Sequence, residues 1–134
     1  MPLWGTGYPG SNPISALNFL DLRPGDYEKL LDGTETIQSG STSIAFARGG
    51  SSLGSDNGST FTVTGCPNGS VIDIQASSAD NAATLAAMDA SFQDVTGGTI
   101  TGNGFYTDVG RSMFYRVIVT TFVNGDVPVV TVKR

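Results

Sequence analysis

The sequence predicts an all-β fold: a single β-sandwich, jelly-roll-like or Ig-like, with an extended N-terminal arm and one short helix. Three observations lead there. Charged residues make up only 14% of the 134 positions while glycine alone supplies 18, a balance that disfavours helices and suits strands joined by tight turns. Short runs alternate apolar with polar residues, as in Thr60 to Thr64, where Phe61 and Val63 stand between threonines; that period belongs to a half-buried strand. Turn dipeptides such as Asp32-Gly33, Asn68-Gly69 and Asn124-Gly125 separate these runs at short intervals, as they do in sandwiches. The length suits one domain with one core, divided into an arm at residues 1–26 and a sandwich at residues 27–134.

The arm comes first. Pro2, Gly5, Gly7, Pro9, Gly10, Pro13, Pro24 and Gly25 interrupt any regular pattern. Yet Trp4, Tyr8, Ile14, Leu17, Phe19, Leu20 and Leu22 make the segment too apolar for a solvated tail. Each such side chain, if fully buried, contributes about 1.5–3 kcal/mol, so the arm is expected to dock. It either covers its own domain's core or lies on a neighbouring protein. Residues 15–22 suit one helical or extended turn, and Arg23-Pro24-Gly25-Asp26 is a turn signal.

Beyond the arm, Tyr27 to Leu31 and Thr34 to Gln38 flank Asp32-Gly33 and read as a hairpin. Ser41 to Arg48 places Ile44 and Phe46 at alternate positions of a strand, and Gly49 to Ser59 is a Gly/Ser-rich loop. Thr60 to Thr64 is a strand. Cys66 sits at its end, entering the Pro67-Asn68-Gly69 turn as a small buried or half-buried thiol rather than a reactive one. In Val71 to Ala76, Ile72, Ile74 and Ala76 share a face. Asp80 is positioned to cap a short helix running to about Ala90, with Leu85, Met88 and Phe92 at helical spacing. Gly97-Gly98 and Gly102-Asn103-Gly104 bracket a short Thr99 to Thr101 segment, and Phe105 to Val109 follows. Met113 to Val123 is a long strand apolar on both faces, with Phe114, Ile118 and Phe122 on one and Met113, Tyr115, Val117, Val119 and Val123 on the other. Such a strand is central or pressed against a partner. Asn124-Gly125-Asp126 then makes a short hairpin to Val127 to Val132, which Pro128 marks as an edge or a bulge.

The chemistry offered is sparse. There is no histidine, so the commonest general base and metal ligand is missing, and no Ser-His or Cys-His nucleophile can form. A lone cysteine forms no internal disulfide. Asp73, Asp89, Asp94, Asp108 and Asp126 are the carboxylates in or beside predicted elements, but a small sandwich rarely opposes two of them across a cleft as glycoside hydrolysis requires. The loop Ser55-Asp56-Asn57-Gly58-Ser59 is oxygen-rich but lacks the spacing and closing glutamate of a calcium loop. Net charge is −5 with few, scattered basic residues, against the clustered Lys and Arg that bind nucleic acid. No run approaches the roughly 18–20 apolar residues of a spanning helix, and the first residues lack a secretory pattern. The expectation is a non-enzymatic protein with no catalytic residues, no metal, no cofactor, no nucleic acid and no membrane. Arg111 and Arg116 are expected to pair with acidic neighbours or reach across a subunit contact.

The second half carries a likeness. Phe61-Thr62-Val63-Thr64-Gly65 is followed by Val71-Ile72-Asp73-Ile74-Gln75-Ala76-Ser77. After an insertion come Phe105-Tyr106-Thr107-Asp108-Val109-Gly110, then Phe114-Tyr115-Arg116-Val117-Ile118-Val119, and an Asn124-Gly125 turn leads to Val129-Val130-Thr131-Val132. This succession resembles the small β-sandwich structural proteins of tailed bacteriophages, capsid decoration (cement) proteins among them. The resemblance covers roughly residues 28–134. It implies a virion location on the capsid exterior, assembly as a homotrimer at a local three-fold axis, and the major capsid protein as partner, clamped against internal pressure. The arm side chains Trp4, Tyr8, Ile14, Leu17, Phe19, Leu20 and Leu22 would then contact the shell or an adjacent subunit. Two other readings remain: a neck, tail or baseplate accessory on the same sandwich, and a carbohydrate-binding module using Phe105, Tyr106, Phe114, Tyr115 and Phe122 as a stacking platform. Against the latter, most of these rings are expected in the core because they occupy alternate strand positions that a sandwich buries.

Overall fold

A computed structural model describes residues 19–47, 58–78, 85–109, 112 and 114–134. The strands are β1 (Leu20–Asp21), β2 (Tyr27–Asp32), β3 (Phe46–Ala47), β4 (Ser59–Thr64), β5 (Val71–Ser77), β6 (Gln93–Thr101), β7 (Gly104–Asp108), β8 (Phe114–Thr121) and β9 (Val129–Lys133), with one helix, α1 (Leu85–Ser91), between β5 and β6. They form a four-stranded sheet in the order β2-β9-β4-β7 and a five-stranded sheet in the order β1-β3-β8-β5-β6. The two pack face to face as an all-β sandwich. Every pairing is antiparallel except β1 with β3.

The alternation in the sequence sets which side chains meet. Phe61 and Val63 on β4 stand opposite Val132 and Val130 on β9, and Ile72 and Ile74 on β5 stand opposite Val119 and Val117 on β8. All eight are buried between the sheets. At the centre three rings from both sheets touch: Phe46 lies stacked on Tyr115 at 5.6 Å, and Phe61 meets them at 5.9 and 6.2 Å. Aromatic contacts at these separations stabilise beyond the area they bury.

The long strand is apolar on both faces for a visible reason. Tyr115, Val117 and Val119 face the interior, while Phe114 points the other way and forms a second cluster with Met88 and Phe92. The short helix covers that outer patch. Seven residues are too few for a helix to persist on propensity, so packing holds it. Its expected cap, Asp80, lies outside the described residues, as do Arg111 and Met113.

Several sequence expectations need correction. Residues 19–26, assigned to the arm, belong to the sandwich: β1 adds to the five-stranded sheet and Leu22 is buried in its core. The turn at Arg23-Pro24-Gly25-Asp26 does form, closed by the Asp26 N–H to the Arg23 carbonyl at 2.9 Å. Thr34 to Gln38 is not a strand. The Glu35 carboxylate accepts the Asp32 and Gly33 N–H groups, and Thr34 donates its N–H and hydroxyl to Asp32 Oδ1. Local side-chain bonds of this kind compete with a ladder, and β2 pairs with β9 instead.

Of the predicted strand Ser41 to Arg48, Arg48 lies outside the described residues, and among residues 41–47 only Phe46–Ala47 is strand, with one further bridge from Thr42 to Ile118. Ser43 Oγ accepts the Val117 N–H at 3.0 Å and donates to the Ile44 carbonyl. A side chain thus takes a ladder position, the alternation breaks, and Ile44 is 39% exposed while Phe46 is buried. The Gly97-Gly98 pair does not end a strand, because β6 runs on through it as a bulge. Gly97 takes φ +79°, which glycine alone adopts freely, and the register against β5 shifts there.

The chain from β8 to β9 is not a hairpin, since the two strands lie in different sheets. Nor is β9 an edge: it sits between β2 and β4. Pro128 falls just before the strand, where no ladder N–H is required. The oxygen-rich loop is described only at Gly58 and Ser59, and Ser59 belongs to β4.

These packing assignments give a paired expectation for chemical denaturation. Ile74→Ala, which empties a wholly buried site between the sheets, lowers unfolding free energy by about 2–5 kcal/mol. Ile44→Ala changes it by no more than about 0.5 kcal/mol; a large loss at Ile44 would contradict its outward placement.

Candidate functional site

The arm side chains expected to contact a partner divide by position. Trp4, Tyr8, Ile14 and Leu17 lie outside the described residues. Phe19 meets Phe114 edge to face at 5.3 Å, Leu20 packs half-buried against the core, and Leu22 is 4% exposed within it. Those three serve the chain's own core, one of the two roles open to the arm.

The densest polar arrangement lies where connections between the sheets cross. Asp126, in the β8–β9 connection, is 5% exposed. Its Oδ1 accepts the Asn68 N–H at 2.8 Å, and its Oδ2 accepts the Ser70 N–H and hydroxyl at 3.0 and 2.6 Å. Ser70 Oγ in turn accepts the Val123 N–H at 2.9 Å, and Asn68 Nδ2 donates to the Asn124 carbonyl at 3.2 Å. Burial by itself would raise the Asp126 pKa. The donors from Ser70 and Asn68 outweigh it and hold the carboxyl below the usual aspartate range. At the same end Val127 N–H donates to the Gly65 carbonyl at 2.7 Å, and a Cβ on Gly65 would lie 2.0 Å from the Val127 carbonyl oxygen. Only glycine fits that approach. The β6–β7 turn joins in: Asn103 Oδ1 accepts the Cys66 N–H at 2.8 Å, and Gly102 N–H donates to the Ser70 carbonyl at 2.8 Å.

Cys66 is buried beside this clasp. Desolvation, reinforced by the nearby Asp126 charge, raises its thiol pKa, so it stays protonated and poorly nucleophilic.

A second cluster ties α1 to the five-stranded sheet. The Arg116 guanidinium donates to Gln75 Oε1 at 2.9 Å and Asp89 Oδ1 at 2.8 Å, and lies 4.2 Å over the Phe92 ring. Gln75 Nε2 continues to Asp94 Oδ1 at 3.0 Å. The expected acidic partner of Arg116 is therefore Asp89. That carboxylate is largely exposed, so the ion pair contributes at most about 1 kcal/mol, and its main effect is to orient the helix. Beside it an open cavity of about 480 Å³ is lined by Ser78, Ser91, Gln93, Asp94 and Ser112 among others.

Arg134 is buried against the first described strand. Its guanidinium donates to the Leu22 carbonyl, its N–H to the Asp26 carbonyl, and its own carbonyl accepts the Gly25 N–H. Desolvation lowers its pKa, against the opposing charges of Asp26 and Asp21; an arginine remains charged throughout.

The outer face of the four-stranded sheet has a different character. The registers place Tyr27, Lys133, Thr60 and Thr107 in one row across it and Lys29, Thr131, Thr62 and Phe105 in the next. Its β4–β7 half carries no charge and ends in Phe105, which is 74% exposed. Most of the aromatic set was expected in the core. Phe114 and Tyr115 are there, Tyr106 and Phe122 are half-buried, and Phe105 is not. Tyr106 lies on the inward side of β7, its hydroxyl near Asp108 and the Thr96 carbonyl. No feature of the sequence marked Phe105 as the outward one, because Phe105 and Tyr106 are adjacent and alternation alone does not name the face.

Buried and paired polar groups thus bind the frame together, and the outward sheet face offers apolar and hydroxyl contact. Among the described residues no three of His, Cys, Asp or Glu group closely enough to hold a metal ion. No family model, no curated protein and no solved structure matches the chain.

The Asp126 clasp makes stability depend on pH in a stated direction. A carboxyl depressed in the folded state contributes stability above the unfolded value, about 3.9, and that contribution is lost as pH falls through the lower folded value. In thermal unfolding, Asp126→Asn has a clearly lower midpoint than wild type at neutral pH. The gap narrows as pH drops below about 4. A gap that stayed constant with pH would show that the carboxylate charge is not what holds the crossing.

Proposed function

We propose that the chain is a non-enzymatic virion structural protein, a capsid decoration (cement) subunit bound to the major capsid protein on the outside of a tailed-phage head. The observation that carries the reading is the strand succession. The five stretches that resemble the phage sandwich proteins fall on β4, β5, β7, β8 and β9, successive strands of one two-sheet sandwich in which α1 and β6 form the insertion. The distribution of polar groups supports it as well. Asp126, Arg134 and Arg116 are engaged in holding elements together, as a rigid clamp requires. The net charge of −5 discourages indiscriminate contact at long range, while apolar and threonine-lined surface serves attachment.

A carbohydrate-binding role draws on one observation, the exposure of Phe105. Tyr27, the other exposed ring of that sheet, stands on the opposite edge strand. Three strand spacings separate them, about 14 Å, so the two do not make one stacking platform.

Quantitative mass spectrometry of purified particles tests the proposal. A decoration subunit occurs in a simple ratio to the major capsid protein. A few copies per particle would move it to the neck, tail or baseplate, and absence from particles would overturn a virion role. Deleting residues 1–18 spares β1 and Leu22, and circular dichroism checks that the truncated chain is folded. It is expected to sediment less efficiently with undecorated heads if the arm reaches the shell.

A further inference from the structure

Each sheet has two edges, and three of these four edges carry features that natural proteins use to prevent strands of different molecules from pairing. The β1 edge is two residues long. The β2 edge carries Glu28, Lys29 and Asp32 and is bulged, since Leu30 falls between the residues that pair with Thr131 and Val130. The β6 edge carries Asp94 and is broken by the Gly97 bulge. The fourth edge, β7, has none of these. Gly104 to Asp108 pairs with β4 at five successive positions without a shift of register. It contains no lysine or proline, and its one charge, Asp108, is turned inward and buried. Phe105 and the residue following the strand, Val109, are the two most exposed large apolar side chains described, at 74% and 77%.

We propose that β7 pairs antiparallel with β7 of a second copy of this chain, joining two four-stranded sheets into one continuous sheet across a two-fold axis. The occupant is another copy because the strand complements itself. With the axis at Tyr106, Phe105 of each copy faces Thr107 of the other, an aromatic opposite a β-branched residue. Such cross-strand pairs stabilise a sheet. Asp108 faces Gly104, so the only charged residue in the strand meets no like charge. The uncharged half-faces formed by Thr60, Thr62, Thr64, Phe105 and Thr107 then adjoin, and Lys29, Asp32 and Lys133 remain at the outer ends of the joined sheet. A five-residue edge buries less than a standard interface, so the pairing is weak and concentration-dependent. The contact stands apart from the capsid reading and differs in symmetry from the trimer that the phage resemblance implies.

Sedimentation velocity over a range of concentrations tests it on the full chain. Wild type is expected to shift from 13.9 kDa toward twice that mass, with slowed amide exchange at residues 104–108 as it does so. Phe105→Lys changes an outward side chain and leaves the fold intact, yet weakens association by about tenfold or more. Adding Thr107→Glu to it places Lys and Glu opposite each other twice in this register and restores most of the association. A monomer at every concentration, a dimer indifferent to Phe105→Lys, or a double variant that fails to recover would each overturn the proposal. So would a trimer, because antiparallel edge pairing of β7 with itself closes after two copies.

Discussion

The clasp between Asp126 and the segment Asn68 to Ser70 is the contact on which the sandwich depends. Two connections cross there, one from β4 to β5 and one from β8 to β9. The four strands they join are the interior pairs: β4 beside β9 in one sheet, β5 beside β8 in the other. Fixing that crossing therefore fixes where each central pair stands relative to the opposite sheet. A buried carboxylate is stabilising only when its oxygens are satisfied. Here three donors converge on it, and the close approach at Gly65 leaves no room for a side chain to intervene. The Gly102-Asn103 turn adds a third connection to the same end through Cys66 and Ser70.

From that end the core follows with little freedom. Alternation along β4, β5, β8 and β9 delivers Phe61, Ile72, Ile74, Val117, Val119, Val130 and Val132 to one slab, and Phe46 and Tyr115 close its middle. The periphery is organised differently. Phe114 faces outward from the central strand and needs a cover, which α1 supplies through Met88 and Phe92. Arg116 reaches from the same strand to hold the helix in place. At the other side of the sheet, the parallel pairing of β1 with β3 and the bonds from Arg134 to Leu22 and Asp26 secure residues 19–26. Parts of the chain that look like a tail are thereby bound to the sandwich at both sequence extremes of the described domain.

Among the described residues, the charge-free half of the four-stranded sheet and the β7 edge are the surfaces suited to assembly, which is where a structural role for the protein would be expressed. The acidic net charge and the charge-free half of the four-stranded sheet are complementary features. The first discourages indiscriminate contact at long range, and the second permits close contact where geometry allows it. Neither depends on a reactive group, in keeping with a chain that contains no histidine and holds its single thiol buried.

The sequence by itself determined what local forces decide. Strands such as Thr60 to Thr64 and Val71 to Ala76 were legible because alternation with a period of two has one structural meaning. The turn at Arg23 to Asp26, the buried Cys66 and the doubly apolar central strand followed from side-chain chemistry at single positions. Which strands became neighbours, and which residues were left outside, was decided only by tertiary packing. Thr34 to Gln38 has the residues of a strand, but Glu35 and Asp32 bond the backbone locally while β9 takes the partner edge of β2. Gly97-Gly98 looks like a break, but a bulge lets β6 continue across β5. Asn124-Gly125 turns the chain as a hairpin would, yet β9 crosses to the other sheet, where it completes a row with Phe61 and Val63. Phe105 and Tyr106 are equally aromatic, and only the register of β7 against β4, which sets Tyr106 opposite the buried Phe61 and Phe105 opposite Thr62, sends one inward and the other out. Periodicity along a strand specifies that two faces differ; the surroundings of that strand specify which face is covered, because burial is a property of neighbours distant in sequence.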